Sequence, residues 1–452
     1  MISKTKMNVF IVMIFSLVTF ISCNNSESND DIEVIKMIEK QITFSPKTHA
    51  LDNNDNFSSD DKFLCYDTRG TVFNEDLANS KSIEKVEIAT GKETVLWNPP
   101  FITGEKAAPG VAAASFHPKE NKVIFIHGPF LEEVKERGYY SKKNRTAMVV
   151  DGNGGGIVER PDMRDVKNDP TTPGAHRGGS HRHEYTRSGN RIGFTYDDFL
   201  VQKYDRTIAF MQPSDKAPKG YTHYFSLIVR PTEKGKSKPG EIEHAADDSW
   251  VDSLGTMRAF IGKVRADNGV DYYSDLFVAD IPLDIDITTA KAGTKTEYPT
   301  PAKGITIRRL THGMNAGGTV RGSFNGKSVV FTAEDENGIS QVFVIKADGS
   351  QKEPKKISSF AESASAVRWH PSDKWIFCLT GGNIAAINIE NGKTVMLTSD
   401  NKIREHLVIS HDGNTLAYIM RTPTKNESGE IVKDVSDKDF RQIYVMGVSM
   451  NL

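Results

Sequence analysis

Residues 368–380 read RWHPSDKWIFCLT: a β-rich run, a polar turn built on Pro371 and Asp373, then a second run of β-branched and aromatic residues. The same order of parts occurs at NFSSDDKFLCYD from Asn56, SFHPKENKVIFIHG from Ser115 and HEYTRSGNRIGFTYD from His183. It returns at GSFNGKSVVFTAED from Gly322 and VISHDGNTLAYIM from Val408. Two short strands around a tight turn, repeated along a chain with further strands between, mark an all-β fold of the β-propeller type. Further runs follow these phrases, as in VEIATGKETVLW, QVFVIKADGSQKEPKKIS, NIAAINIENGKTVMLT and RQIYVMGV, the first three with a Gly or Asn turn that suits a hairpin.

The six starts lie 59, 68, 139, 46 and 40 residues apart. The gap of 139 is about twice its neighbours, so it holds one degenerate blade, with THYFSLIV, TMRAFIGKV and DLFVADI as strand candidates. Seven blades result, with six or eight left open. Residues 40–44, KQITF, resemble the strand-ending phrases at 309–311 and 397–398. They are placed to pair with the last blade and close the ring, which removes an exposed sheet edge.

The chain opens with two lysines in residues 1–6, an apolar run over 7–21, and Ser22 before Cys23. That order describes a secretory signal, and the position of Cys23 resembles a bacterial lipobox. The apolar run falls short of the roughly 20 residues a membrane span needs. The expected organisation is a lipoprotein signal peptide at 1–22, a polar tether at 23–38 and the propeller at 39–452. Lipidation at Cys23 would anchor the protein in the cell envelope, at the outer membrane. A net charge of −2 gives no argument for a nucleic-acid partner. Cys65 and Cys378 sit in apolar strand phrases of distant blades and read as buried free thiols.

Four polar stretches, 141–174, 198–221, 231–250 and 282–304, read as long insertions that make the first four blades the elaborate half. The histidines sort by place in the repeat. His117, His370 and His411 fall in the turns and read as exposed. His49, His127, His181, His183 and His312 fall at strand ends toward the opposite rim. The densest chemistry is RGGSHRH from Arg177, with Phe194 to Asp198 returning beside it. Alternation along a strand places His181 and His183 on one face, where two imidazoles can hold a metal or simply hydrogen-bond within the channel wall. Further ligands would come from His49, His127, His312, Glu334, Gln341, Asp197 or Asp198. Arg177 and Arg321 could clamp a carboxylate or form inter-blade salt bridges. Tyr196 is a proton donor or a wall aromatic.

The phrases KQITFSPKTHAL, FHPKENKVIFIHGP, TPGAHRGGSHRHEYTRSGNRIGFTYDD and WHPSDKWIF resemble the YidR-like family of TolB-like propellers, itself distantly similar to oligogalacturonate lyases. The resemblance implies a β-elimination on uronic-acid-containing oligosaccharides, by a lyase or dehydratase. It implies His181, His183 and His312 as ligands of a divalent metal (Mn, Ca or Zn), and His181 or His183 as the base. In that reading Arg177, Arg321 and His49 bind substrate, while Tyr196 and His127 assist the leaving oxygen. The later-blade cluster of Gln and paired His found in those lyases has no counterpart, since that stretch reads THGMNAGGTVRGSF. A non-catalytic envelope propeller, either a protein-interaction scaffold or a glycan-binding lipoprotein, is the alternative.

Overall fold

The computed structural model describes residues 34–51, 55–69, 81–99 and 110–450. The signal peptide, Cys23 and most of the tether lie outside the described residues. Seven sheets form the blades of one ring. Blade 1 holds Phe63–Asp67, Ile83–Glu87 and Glu93–Trp97, with bridges from Ala50 and Phe57 on its inner side. Blade 2 holds Val111–Phe116, Lys122–His127, Thr146–Asp151 and Val158–Glu159. Blade 3 runs Gly178–Tyr185, Ile192–Asp198, Thr207–Pro213 and His223–Leu227. Blade 4 runs Ile242–Trp250, Met257–Arg265, Tyr272–Asp280 and Thr306–Arg309. Blades 5 and 6 begin at Ala316–Gly322 and Ala364–Trp369. Blade 7 combines Arg404–Ile409, Thr415–Thr422 and Phe440–Met450 with the first strand of the chain, Val34–Gln41.

That last pairing closes the ring. Val34 stands opposite Met450 and Gln41 opposite Tyr444 in an antiparallel ladder. The closing strand therefore begins ahead of the boundary at 39. Glu39 secures it, accepting from Arg404 Nε at 2.9 Å, Tyr418 Oη at 2.6 Å and Lys402 Nζ at 3.3 Å. Burial pushes this carboxyl up, but the bonds from Tyr418 and Arg404 outweigh it and leave it below its ordinary value of 4.5. A depressed folded value means the stabilisation is present above the ordinary range and lost as pH falls through the folded one. Glu39→Gln is thus expected to cost about 1–2 kcal/mol at pH 7. The gap from the parent in chemical denaturation should shrink steadily as the pH is lowered below 4.5.

The core lies between neighbouring sheets. Val251, Leu276 and Val278 of blade 4 meet Val320, Val329 and Phe331 of blade 5. Because both faces of each blade are covered, strands read as continuous apolar runs, and WIFCLT is buried at every position. The turns between first and second strands, which define the lower face, latch each blade to the next. His117 packs edge-on against Tyr185 with centroids 4.5 Å apart, and His370 and His117 are each only 7% exposed. His411 Nδ1 lies 2.8 Å from Asp61 of blade 1. While the His411 side chain stays 34% exposed, the expectation of exposed turn histidines is corrected for His117 and His370, whose rings fill the space beside the next turn. Gly189 and Gly413 face them, where an added Cβ would lie 2.7 and 2.5 Å from the ring.

Six inner strands share a bulge. The register shifts in blades 2 to 7, around Ala113, Arg182, Asp247, Gly318, Ala366 and His406, all at positive φ. A bulge sets two residues against one and breaks the two-residue alternation of the strand. Three supposed insertions also hide strands: Thr146–Asp151, Thr207–Pro213 and the acid-rich inner strand Ile242–Trp250. Only 282–304 is a true strap, with a single helical turn at Ile287–Thr289.

Candidate functional site at the lower mouth of the channel

The RGGSHRH stretch lies at the start of the first strand of blade 3, walled in by the protein's own loops. A Cβ on Gly179 would lie 1.8 Å from Lys142 O, and one on Gly178 2.1 Å from Asp197 O. The close approach these glycines permit is to the chain itself. Arg177 is fully buried, and Nε donates to Asp198 at 2.8 Å. Its Nη1 and Nη2 donate to the carbonyls of Thr294 and Glu297 in the strap. With all three nitrogens engaged it holds the strap, and its assignment as a substrate clamp is withdrawn. Tyr196, also fully buried, donates to the same Asp198 at 2.9 Å.

The bulge at Arg182 separates the two histidines, correcting the shared face. His181 Nδ1 takes a hydrogen from Arg145 at 3.0 Å, and Nε2 faces Asp197 at 2.8 Å. Asp197 is held in turn by Arg206 at 2.7 Å. His183 Nε2 lies 2.9 Å from Ser180 Oγ, with its ring against Phe194. Burial depresses both imidazoles to about 3, reinforced at His181 by Arg206. Both stay neutral at ordinary pH. His127 is enclosed by Trp97, Phe125 and Phe130, and burial depresses it to about 4. His49 Nδ1 bonds Arg441 O at 2.8 Å in a buried network with Ser45 and Glu93. His312 is exposed on the connection from blade 4 to blade 5. Gln341 is spent on Ser358 and Phe360. Among the described residues, no group of three or more His, Cys, Asp and Glu is placed to hold a metal ion.

Arg321 has a different setting. It lines a cavity of about 250 Å³ at the lower end of the channel, to which all seven blades contribute. Arg368 lines it from the next blade, with Asp55, Glu184, Arg187 and His411 from others. Both arginines are more than nine-tenths buried. Each bonds its preceding residue's carbonyl through Nη1, at 2.8 and 2.9 Å, while neither Nε has a partner. No ion pair to either is formed among the described residues. Glu184 is committed elsewhere, to Ser249 at 2.8 Å and Arg258 at 3.0 Å. Burial depresses both guanidiniums, and each depresses its neighbours further: Arg368 acts on Arg321, and Arg182 acts on both, with Arg368 held at about 10. Glu184 and Asp55 act on the pair only through their charge, and two adjacent buried cations with no salt-bridged anion among the described residues are an arrangement that folding alone does not favour.

The side chain of Asp55, which makes no hydrogen bond or ion pair among the described residues, opens on the same cavity. Burial raises its carboxyl to about 6. Sequence reasoning named Arg321 but missed Arg368, Glu184 and Asp55. A signal existed for two of them: in TVRGSFNGKSVVF and AVRWHPSDKWIF the Val-Arg pair holds the same place before the turn, as Glu184 does in HRHEYTRSGNRIGF.

Seven sheets zipped shut by the first strand define a seven-bladed β-propeller. The chain belongs to the YidR family. It is 30% identical over 415 residues to the uncharacterized protein YidR of Escherichia coli K12, covering 84% of this chain and 94% of that one. Residues 110–218 match a family model described as "Protein of unknown function (DUF3748)". Among solved structures, the β-propeller domain of the trilobed protease from Pyrococcus furiosus aligns over 89% of this chain and 98% of its own, at 6% identity and a TM-score of 0.50. A TolB candidate from Agrobacterium tumefaciens aligns over 70% and 88%, at 15% identity and a TM-score of 0.38.

Proposed function

We propose that the protein is a binding propeller that takes an anionic ligand into the lower mouth of its channel, a uronic-acid unit of an oligosaccharide being the favoured class. The observation that carries this reading is the pair Arg321 and Arg368, buried side by side with no carboxylate in salt-bridge contact among the described residues. A ligand carboxylate would supply a counter-charge in direct contact and accept the free N–H groups, an arrangement that charge-assisted bonds stabilise strongly. A cavity of about 250 Å³ suits one sugar-sized unit, so chains would be held by an end. Anchoring in the envelope through Cys23, read from the N-terminal sequence, would fit capture of such fragments outside the cytoplasm.

Elimination from the uronate is the second reading, favoured by Asp55. A carboxyl raised to about 6 beside a guanidinium pair has the properties of a general base facing a clamped carboxylate. The base would then be Asp55 rather than the enclosed His181 or His183.

Calorimetric titration with galacturonate and its short oligomers, using galactose as the neutral control, tests the first reading. Acidic sugars should bind and galactose should not. Equal affinity for both, or none for either, rejects it. Growth of ultraviolet absorbance from a conjugated unsaturated product during the same incubation would establish the second.

A further inference from the structure

We propose that Asp55 couples ligand entry at the mouth to the uptake of one proton, so that it sets the acidity at which the site holds an anion. The inference rests on the anion-binding reading above and adds its regulation.

The geometry supplies the competition. Asp55 and the two arginines open on one cavity of about 250 Å³. An ionised Asp55 is the internal counter-ion of the pair, as its influence on both guanidiniums shows. A ligand carboxylate entering beside it would place two anions in that small space. Like charges in a confined site disfavour joint ionisation, so one of them takes a proton. A uronate is the stronger acid, and the proton goes to Asp55.

The other groups around the cavity are accounted for. Glu184 of blade 3 is tied to Ser249 and Arg258. Arg187 is fixed on the carbonyls of Ser323 and Phe324, with its guanidinium over the Phe324 ring. Arg182 donates to Thr319 at 2.9 Å. Tyr185 is buried and raised by that burial, and the Cys65 thiol behind Asp55 is pushed up in the same way. Among the described residues, His411 is the further group that titrates nearby. Burial lowers it, but the bond to Asp61 together with the charges of Asp55 and Asp61 outweighs that and raises it. Loss of its charge on alkalinisation would weaken anion binding in the same direction, so it needs its own control.

The sign follows from linkage. The Asp55 carboxyl stands at about 6 in the empty site and is pushed higher by a bound anion. Affinity is therefore greatest below that value and falls as pH rises through it. Galacturonate titrated into the full chain should bind about tenfold more weakly at pH 7.5 than at pH 5.5. Repeating the titration near pH 6.5 in two buffers of different ionisation enthalpy should reveal uptake of about one proton per ligand. Asp55→Asn should lose most of the drop and most of the proton uptake, His411→Gln should keep the drop, and the double variant should bind equally well at both pH values. A flat profile in the parent protein, absence of proton uptake, or a drop that persists undiminished when Asp55→Asn is combined with His411→Gln overturns the inference while leaving anion binding intact. The proton count on the parent protein decides the matter even if Asp55→Asn does not fold. Failure of galacturonate to bind at either pH removes the parent reading, and this one with it.

Discussion

Replacing Arg321 and Arg368 together with methionine is expected to raise the unfolding midpoint while abolishing the binding of acidic sugars. The two effects share one cause. Burying an ion without a salt-bridged partner costs several kcal/mol even after relaxation, and a second like charge nearby adds to that cost, while Asp55, already raised to about 6, can take up a proton once the two cations are gone. Methionine fills a similar volume without a charge to desolvate. A gain of about 1–3 kcal/mol in chemical denaturation is expected, the range seen when buried charges give way to apolar side chains. Binding of galacturonate should weaken by at least about 100-fold, because two charge-assisted contacts are lost. Stability bought at the expense of function is the signature of residues kept for a ligand. A double variant that unfolds more easily than its parent would show that the pair is structural. One that still binds galacturonate would move the site elsewhere.

The opposite outcome is expected at Arg177. Its substitution by methionine leaves Asp198 buried with its charge, and leaves the carbonyls of Thr294 and Glu297 short of donors. Breaking a buried pair from one side costs about 3–5 kcal/mol. Loosening should begin in the strap, so hydrogen exchange over residues 291–300 should rise first. Affinity for galacturonate should stay close to that of the parent, since the mouth lies at the other end of the inner strand. A large loss of affinity with unchanged stability would restore Arg177 to the binding site.

The contrast between these two arginines shows what the sequence could convey. The repeat was legible because turn chemistry is local: FHPKEN, WHPSDK and SHDGN each carry the polar turn and the ring that plugs into the next blade. Ring closure was legible as well, from the likeness of KQITF at 40–44 to the strand-ending phrases of other blades. The inner strand of blade 4 was not. IEHAADDSW has the composition of a loop, yet Asp248 is neutralised by Arg258 and Asp247 occupies the bulge. Tertiary partners overrode the local preference.

The histidine site failed for a different reason. Pairing His181 with His183 assumed strict alternation, and one residue at positive φ undid it. No composition signal distinguishes HRH in a bulge from HRH in a regular strand. The arginine site could have been read by aligning the blades with one another rather than scanning for metal-ligand residues. The repeated Val-Arg at 320–321 and 367–368 lies one blade apart, and adjacent blades bring equivalent positions together.

Val34 faces Met450 across the outermost pair of blade 7, at the rim of the side where the turns lie. Anything joined ahead of Val34 must therefore set out from the same side of the disc as the arginine-lined opening. A short leash to a surface would turn that opening toward the surface and leave the opposite side free. Ligands would then have to arrive through the gap between disc and support, so the length of the leash would govern how large a fragment can enter.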